Sequence, residues 1–214
     1  MSKKDVKYEA LDQEIMVVKE EVLNTYEAER IFTYDEVKYW VTNNKRWELF
    51  QGIPMLMASP TPEHQLISKD LAYLFEHYLR GKKCQLFLPV DTVLSYKKGK
   101  DTYFIPDLVI VCDRNKLKRN GIFGAPDLVV EILSSSTSGR DRIEKRHHYE
   151  EAGIKEYWMV DPKRKSVEVA LLDSNGKFNA KIYEKTDTIK ISIFEDLSIS
   201  VTDVFANPWL NETT

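Results

Sequence analysis

The sequence predicts an α/β (α+β) domain, with a central mixed β-sheet flanked by helices, an N-terminal helical extension and a C-terminal run of short β-strands. Three observations predict it. Apolar residues make up 43% of the chain and aromatic ones 11%, the composition of an ordered globular protein. Through the middle of the chain, hydrophobic periodicity recovers the order helix, three strands, helix, strand. The runs at 108–112 and 128–130 are apolar without alternation, as in strands covered on both faces.

From the N-terminus, Leu11, Ile15, Val18, Val22 and Tyr26 recur at steps of four, three, four and four, which marks an amphipathic helix with one apolar stripe. Residues 1–30 are read as this extension and 31–214 as the domain. Thr33 caps a second short helix through Tyr39 and Trp40, and 47–50 reads as a strand that breaks at Gly52. After a loop punctuated by Pro54, Pro60 and Pro62, the spacing of Leu66, Ile67, Leu71, Leu74, Phe75 and Tyr78 predicts a helix over 63–79 that stops at Gly81. Strand-like runs follow at 85–96, 102–112 and 127–133. Ser138 with Asp141 resembles a capping box, so the next helix runs from about Gly139 to Ala152 and stops at Gly153. Residues 156–160 return as a strand ended by Asp161 and Pro162. The tail holds short strands at 167–172, 178–184 and 189–194, with a turn at Ser174, Asn175 and Gly176. The four middle strands are expected in one mixed sheet with helices 63–80 and 139–152 packed on it.

The net charge of -3 argues against a protein that coats nucleic acid without specificity. All of that charge lies in residues 1–30, with eight acidic and five basic side chains, and the rest of the chain is balanced. Lys97, Lys98, Lys100, Arg114, Lys116, Lys118 and Arg119 form one basic stretch, and Arg140, Arg142, Lys145 and Arg146 another. Such runs read either as solvated surface or as a phosphate-facing side. Cys84 and Cys112 have neither disulfide-framework nor zinc spacing and read as small buried thiols. No apolar run approaches the roughly 18 residues of a membrane helix, and residues 1–7 are charged, so a cytoplasmic protein without a membrane partner is expected.

The chemistry begins with acids in apolar surroundings. Glu131 interrupts the run 128–133, where a carboxylate is costly unless something positive satisfies it. Asp107 stands between Pro106 and Leu108, at the entrance of a second buried strand. Taken singly, Asp107 also reads as a turn or cap residue and Glu131 as half of a buried ion pair. Lys145 changes the balance: on a helix beginning near Gly139 it shares the sheet-facing stripe with Tyr149 and Ala152, which an ordinary surface lysine would avoid. Two carboxylates and a lysine converging at one sheet edge can bind Mg²⁺ through hard oxygen ligands and hold a water against a phosphate.

Read in order, several motifs resemble the Uma family of restriction endonucleases, a branch of the PD-(D/E)xK nuclease superfamily, over roughly 32–205. They are Trp47-Glu48-Leu49-Phe50-Gln51-Gly52, then His64 heading a helix, and Pro106-Asp107-Leu108-Val109-Ile110-Val111. After these come Pro126-Asp127-Leu128-Val129-Val130-Glu131-Ile132-Leu133-Ser134, then Ser136, Thr137, Asp141, Lys145 and Tyr149, and lastly Glu156-Tyr157-Trp158-Met159-Val160-Asp161-Pro162. The resemblance implies a restriction-endonuclease-like core, with Asp107 as the motif aspartate and Glu131 as the acid of the (D/E)xK element. The position two after Glu131 is Leu133, not lysine, so the resemblance implies a lysine moved to the following helix, as Lys145. Glu48 is implied as a further metal or water ligand, and His64 as a site residue that reads equally as a cap histidine bonded to backbone. The implied activity is hydrolysis of DNA phosphodiester bonds with Mg²⁺, or Mn²⁺ in its place.

Two other readings stay open. One is a catalytically silent binding module in which Glu131 and Lys145 are only a buried pair. The other is a homodimer or higher homo-oligomer joined through the stripe in residues 8–26, compatible with either chemistry. Two decoys are weaker. His147 and His148 would point about 100° apart on a helix and read as surface, and Ser134 to Thr137 lacks the glycines of a nucleophile elbow. Tyr157 and Trp158 read as core.

Overall fold

The computed structural model describes residues 31–40, 46–95, 101–133 and 139–211, with the backbone alone at 139–142 and 211. The expected helix over 8–26, most of the turn at 97–101, and the side chains of the Ser138–Asp141 cap lie outside the described residues. Among the described residues no helix is long and apolar enough to cross a membrane.

The elements are α1 (Tyr34–Val37), β1 (Trp47–Phe50), β2 (Ile53–Leu56), α2 (Pro62–Leu79), β3 (Gln85–Phe87), β4 (Thr92–Ser95), β5 (Thr102–Phe104), β6 (Leu108–Val111), β7 (Leu117–Lys118) and β8 (Gly121–Phe123). They continue with β9 (Leu128–Ile132), α3 (Gly139–Ala152), β10 (Glu156–Asp161), β11 (Ser166–Leu172), β12 (Phe178–Glu184), β13 (Thr188–Lys190), β14 (Ser198–Ser200) and α4 (Val201–Val204). The mixed α/β class is as expected. The sheet is not single: one six-stranded sheet runs β2-β1-β5-β4-β8-β7, a second runs β12-β11-β10-β9-β6-β3, and β13 pairs with β14.

The runs expected as single strands at 85–96 and 102–112 each break in two, and each passes from one sheet to the other. Proline explains the breaks. Pro89 lies between β3 and β4, Pro106 between β5 and β6, and neither can donate to a ladder. At the second break the amide of Ile105 bonds a carboxylate, Glu48 Oε1, at 2.9 Å. The chain therefore changes sheets between the amide that bonds Glu48 and Asp107. The tail strands expected at 167–172 and 178–184 form. As β11 and β12 they extend the second sheet antiparallel from β10.

That second sheet is covered on both faces, as its apolar runs required. On one side Ile67, Leu71, Phe75 and Leu79 of α2 pack with Leu108, Ile110, Leu128, Val130 and Trp158. On the other, Tyr149 of α3 packs with Val109, Val129, Tyr157 and Met159, together with Phe50 and Phe104 from the first sheet. Tyr157 and Trp158 are thus core, as read. Thr61 caps α2, its Oγ1 accepting from His64 N–H at 3.2 Å, and Pro62 opens the helix where no intrahelical N–H is lost. α3 spans the expected 14 residues and ends before Gly153, whose φ of +81° makes the left-handed stop. In the β1–β2 hairpin both turn residues have positive φ, Gln51 at 49° and Gly52 at 84°. A Cβ on Gly52 would lie 2.1 Å from Ile31 Cγ2, so glycine is required there.

The cysteines correct the sequence reading. Cys84 precedes β3 and Cys112 follows β6; the register pairing Gln85 with Val111 sets them opposite each other, and they form a disulfide with Cα atoms 4.0 Å apart. Nothing in a spacing of 28 residues announces this, because strand pairing alone creates the contact. Closing a loop of that size removes about 3–4 kcal/mol of unfolded-state freedom. Reduction is therefore expected to lower the urea midpoint by a corresponding amount, and an unchanged midpoint would show that the bridge adds nothing to stability.

Candidate active site

The two central acids meet through strand register. β6 pairs antiparallel with β9, Leu108 opposite Val130; Asp107 immediately precedes the first of these residues and Glu131 immediately follows the second. Alternation sends Leu128, Val130 and Ile132 toward α2, and leaves Glu131 on the α3 face beside Val129. Asp107 Oδ2 accepts the amide of Ile132 at 2.7 Å, which closes the ladder where proline interrupted it.

Glu48 arrives from the first sheet. It is 5% exposed, and its Oε1 accepts both Ile105 N–H at 2.9 Å and Lys145 Nζ at 2.8 Å. Lys145 reaches inward from α3 as its stripe required and also donates to Glu131 Oε1 at 3.0 Å. The Phe104 ring lies 5.3 Å from its ammonium. One turn later on the same face, Tyr149 Oη donates to Glu131 Oε1 at 2.6 Å. Sequence reasoning put Tyr149 on this stripe but gave it no task.

His64 enters from α2 on the far side. Its backbone N–H serves the helix cap, but its ring is not bonded to backbone: Nε2 lies 3.0 Å from Asp107 Oδ2. Toward an ionised carboxylate that nitrogen must be the donor. Nδ1 is buried without a hydrogen-bond partner among the described residues. The five sequence candidates thus form two bonded groups, Glu48–Lys145–Glu131 and His64–Asp107, which meet where Asp107 bonds the amide of Ile132, next to Glu131.

The electrostatics follow from burial and crowding. Burial pushes the Glu131 carboxyl up, to about 7; Lys145 opposes this, while the charges of Asp107 and Glu48 add to it. Burial alone would lower the Lys145 ammonium, but the Glu131 and Glu48 carboxylates outweigh it and hold it above the usual lysine range. For His64, burial is likewise outweighed by the Asp107 bond and charge and by Glu131, leaving the imidazole raised.

Other sequence readings fare differently. His147 is exposed and pairs with Glu151 at 3.2 Å. His148, expected at the surface, is instead packed against the rings of Phe50 and Phe104 at 6.0 and 5.9 Å, since those strands cover that side of α3. In the basic stretches, Arg146 pairs with Glu168 at 2.7 Å and Lys116 donates to the carbonyl of Ala125 at 2.6 Å. Lys97, Lys98 and Lys100, and the side chains of Arg140 and Arg142, lie outside the described residues.

Among the described residues, no three His, Cys, Asp or Glu side chains already converge closely enough to hold an ion. Lys145 stands between Glu48 and Glu131 instead. The donor chemistry nonetheless fits a divalent cation. Glu48, Asp107 and Glu131 supply three carboxylates, the hard oxygen donors such an ion takes, with Lys145 bonded to two of them and His64 to the third.

The model of the Uma2 family, described as "Putative restriction endonuclease", matches residues 33–202. The chain is similar to an uncharacterized protein of Synechocystis, 25% identical over 162 residues that make up 73% of this chain and 83% of the relative. A second uncharacterized Synechocystis protein is 24% identical over 117 residues, 53% of this chain and 65% of that one. A crystal structure from Anabaena variabilis, "a putative nuclease belonging to DUF820", aligns with a TM-score of 0.69 at 20% identity, covering 84% of this chain and 99% of that chain. At that identity the likeness is one of fold.

Proposed function

The chain belongs to the Uma2 family, and from that membership and the geometry of its site we propose that it is a divalent-metal-dependent endonuclease hydrolysing DNA phosphodiester bonds. The observation that carries the reading is the inward lysine: Lys145 Nζ lies within 3.0 Å of two carboxylates from two different sheets, and a third, Asp107, bonds the amide of Ile132 beside Glu131.

In this reading Asp107 and Glu131 hold the ion and Glu48 completes or steadies the set. Mg²⁺, or Mn²⁺ as substitute, would supply polarisation of a phosphoryl oxygen and a lowered pKa for water. Lys145 orients the attacking water and offsets charge developing on the phosphate oxygens, which places the (D/E)xK lysine on the helix after its strand. His64 pins Asp107 from α2, and the Ile132 amide fixes the same oxygen.

A specific observation favours the rival, a silent nuclease-fold module. Lys145 already satisfies Glu48 and Glu131, so the fold needs no ion to bury them. Incubation with single- and double-stranded DNA separates the two. Cleavage is expected with Mg²⁺ or Mn²⁺ and is lost on chelation. Because the ion needs Glu131 ionised and its carboxyl is pushed up to about 7, cleavage at limiting ion should fall below that pH by roughly tenfold per unit. Absence of both ion binding and cleavage on every DNA tried would leave the silent module standing.

A further inference from the structure

Tyr149 is wholly buried, and its ring is fixed by an edge contact with Phe104 at 5.4 Å and a tilted one with Tyr157 at 5.0 Å. Held in this way, its hydroxyl meets Glu131 Oε1 at 2.6 Å. The same oxygen receives Lys145 from one helical turn earlier. These two donors match the two lone pairs of that one oxygen, and they differ in kind.

Lys145 is charged, is shared between Glu48 and Glu131, and in the nuclease reading must also face the phosphate. Tyr149 is neutral. It can fix the direction of the carboxylate without cancelling the negative charge a cation would need, whereas a second ammonium at that position would compete with the cation.

We infer that Tyr149 is a positioning residue, holding Glu131 in the orientation that receives a divalent cation; the inference rests on the nuclease reading. A purely structural phenol would steady the fold and leave cation affinity alone. A positioning phenol sets affinity.

The test uses the full chain with Mn²⁺ alone as the probe, followed by titration calorimetry, beside melting curves. Tyr149→Phe keeps the ring packing and removes only the hydroxyl. Its Mn²⁺ affinity is expected to fall by about 10- to 100-fold, with kcat reduced and KM for DNA unchanged. Tyr157→Phe, which removes a buried hydroxyl from the neighbouring ring, is expected to bind Mn²⁺ like the parent. Equal affinity in Tyr149→Phe and the parent would overturn the inference and leave the nuclease reading intact, as would an equal loss in Tyr157→Phe. If the parent itself binds no Mn²⁺, the nuclease reading falls and the inference with it.

Discussion

Glu131→Gln and, separately, Asp107→Asn are expected to lower DNA cleavage by about 10³-fold or more while the protein stays folded. Loss of a direct ligand removes several kcal/mol of transition-state stabilisation, and each 1.36 kcal/mol is tenfold in rate. Folding should survive because each new amide keeps a carbonyl oxygen. At position 107 that oxygen can still accept the Ile132 amide, and at 131 it can still accept Lys145 and Tyr149. What disappears is the charge. Cleavage assays and melting curves on the same preparations check both halves, and a variant that melts normally and cleaves like the parent would remove that carboxylate from the chemistry.

Lys145→Ala should behave differently, because it affects stability and rate together. Its ammonium neutralises two carboxylates that are only 7% and 12% exposed. Stranding buried charges in this way costs about 3–5 kcal/mol, or roughly 6–20 °C in melting temperature for a chain of this size. Cleavage is expected to fall by about 10²–10³, the usual loss for one preorganised donor. The informative step is adding Mn²⁺ to the variant. An ion bound by Glu48, Asp107 and Glu131 replaces the missing positive charge and should restore most of the melting temperature, with the rate still low because the water is no longer oriented. A large melting loss that Mn²⁺ leaves unchanged would mean that lysine and carboxylates form only a structural pair.

What could be read in the sequence was whatever local periodicity controls. The 14 residues of α3, the start and stop of α2, and the inward stripe carrying Lys145 follow from 3.6-residue spacing with cap and glycine signals. The acids stood out because Asp107 and Glu131 interrupt or open strands that are otherwise apolar. Features set by tertiary register were not legible. That Asp107 comes next to the end of β9 that carries Glu131, and that Cys84 faces Cys112, depends on how β3, β6 and β9 align, which no local pattern fixes. The division into two sheets was signalled only by Pro89 and Pro106, which in a sequence read equally as kinks or edges. His148 looked like its neighbour His147 because their difference is made by Phe50 and Phe104, which are distant in the chain.

The most direct test of the site is anomalous scattering from crystals soaked in Mn²⁺. The expected result is a peak bonded at about 2.0–2.6 Å to oxygens of Asp107 and Glu131, with Lys145 released from at least one of its two carboxylates. A soaked crystal with no peak at these carboxylates, and with Lys145 still bonded to both Glu48 and Glu131, would contradict it.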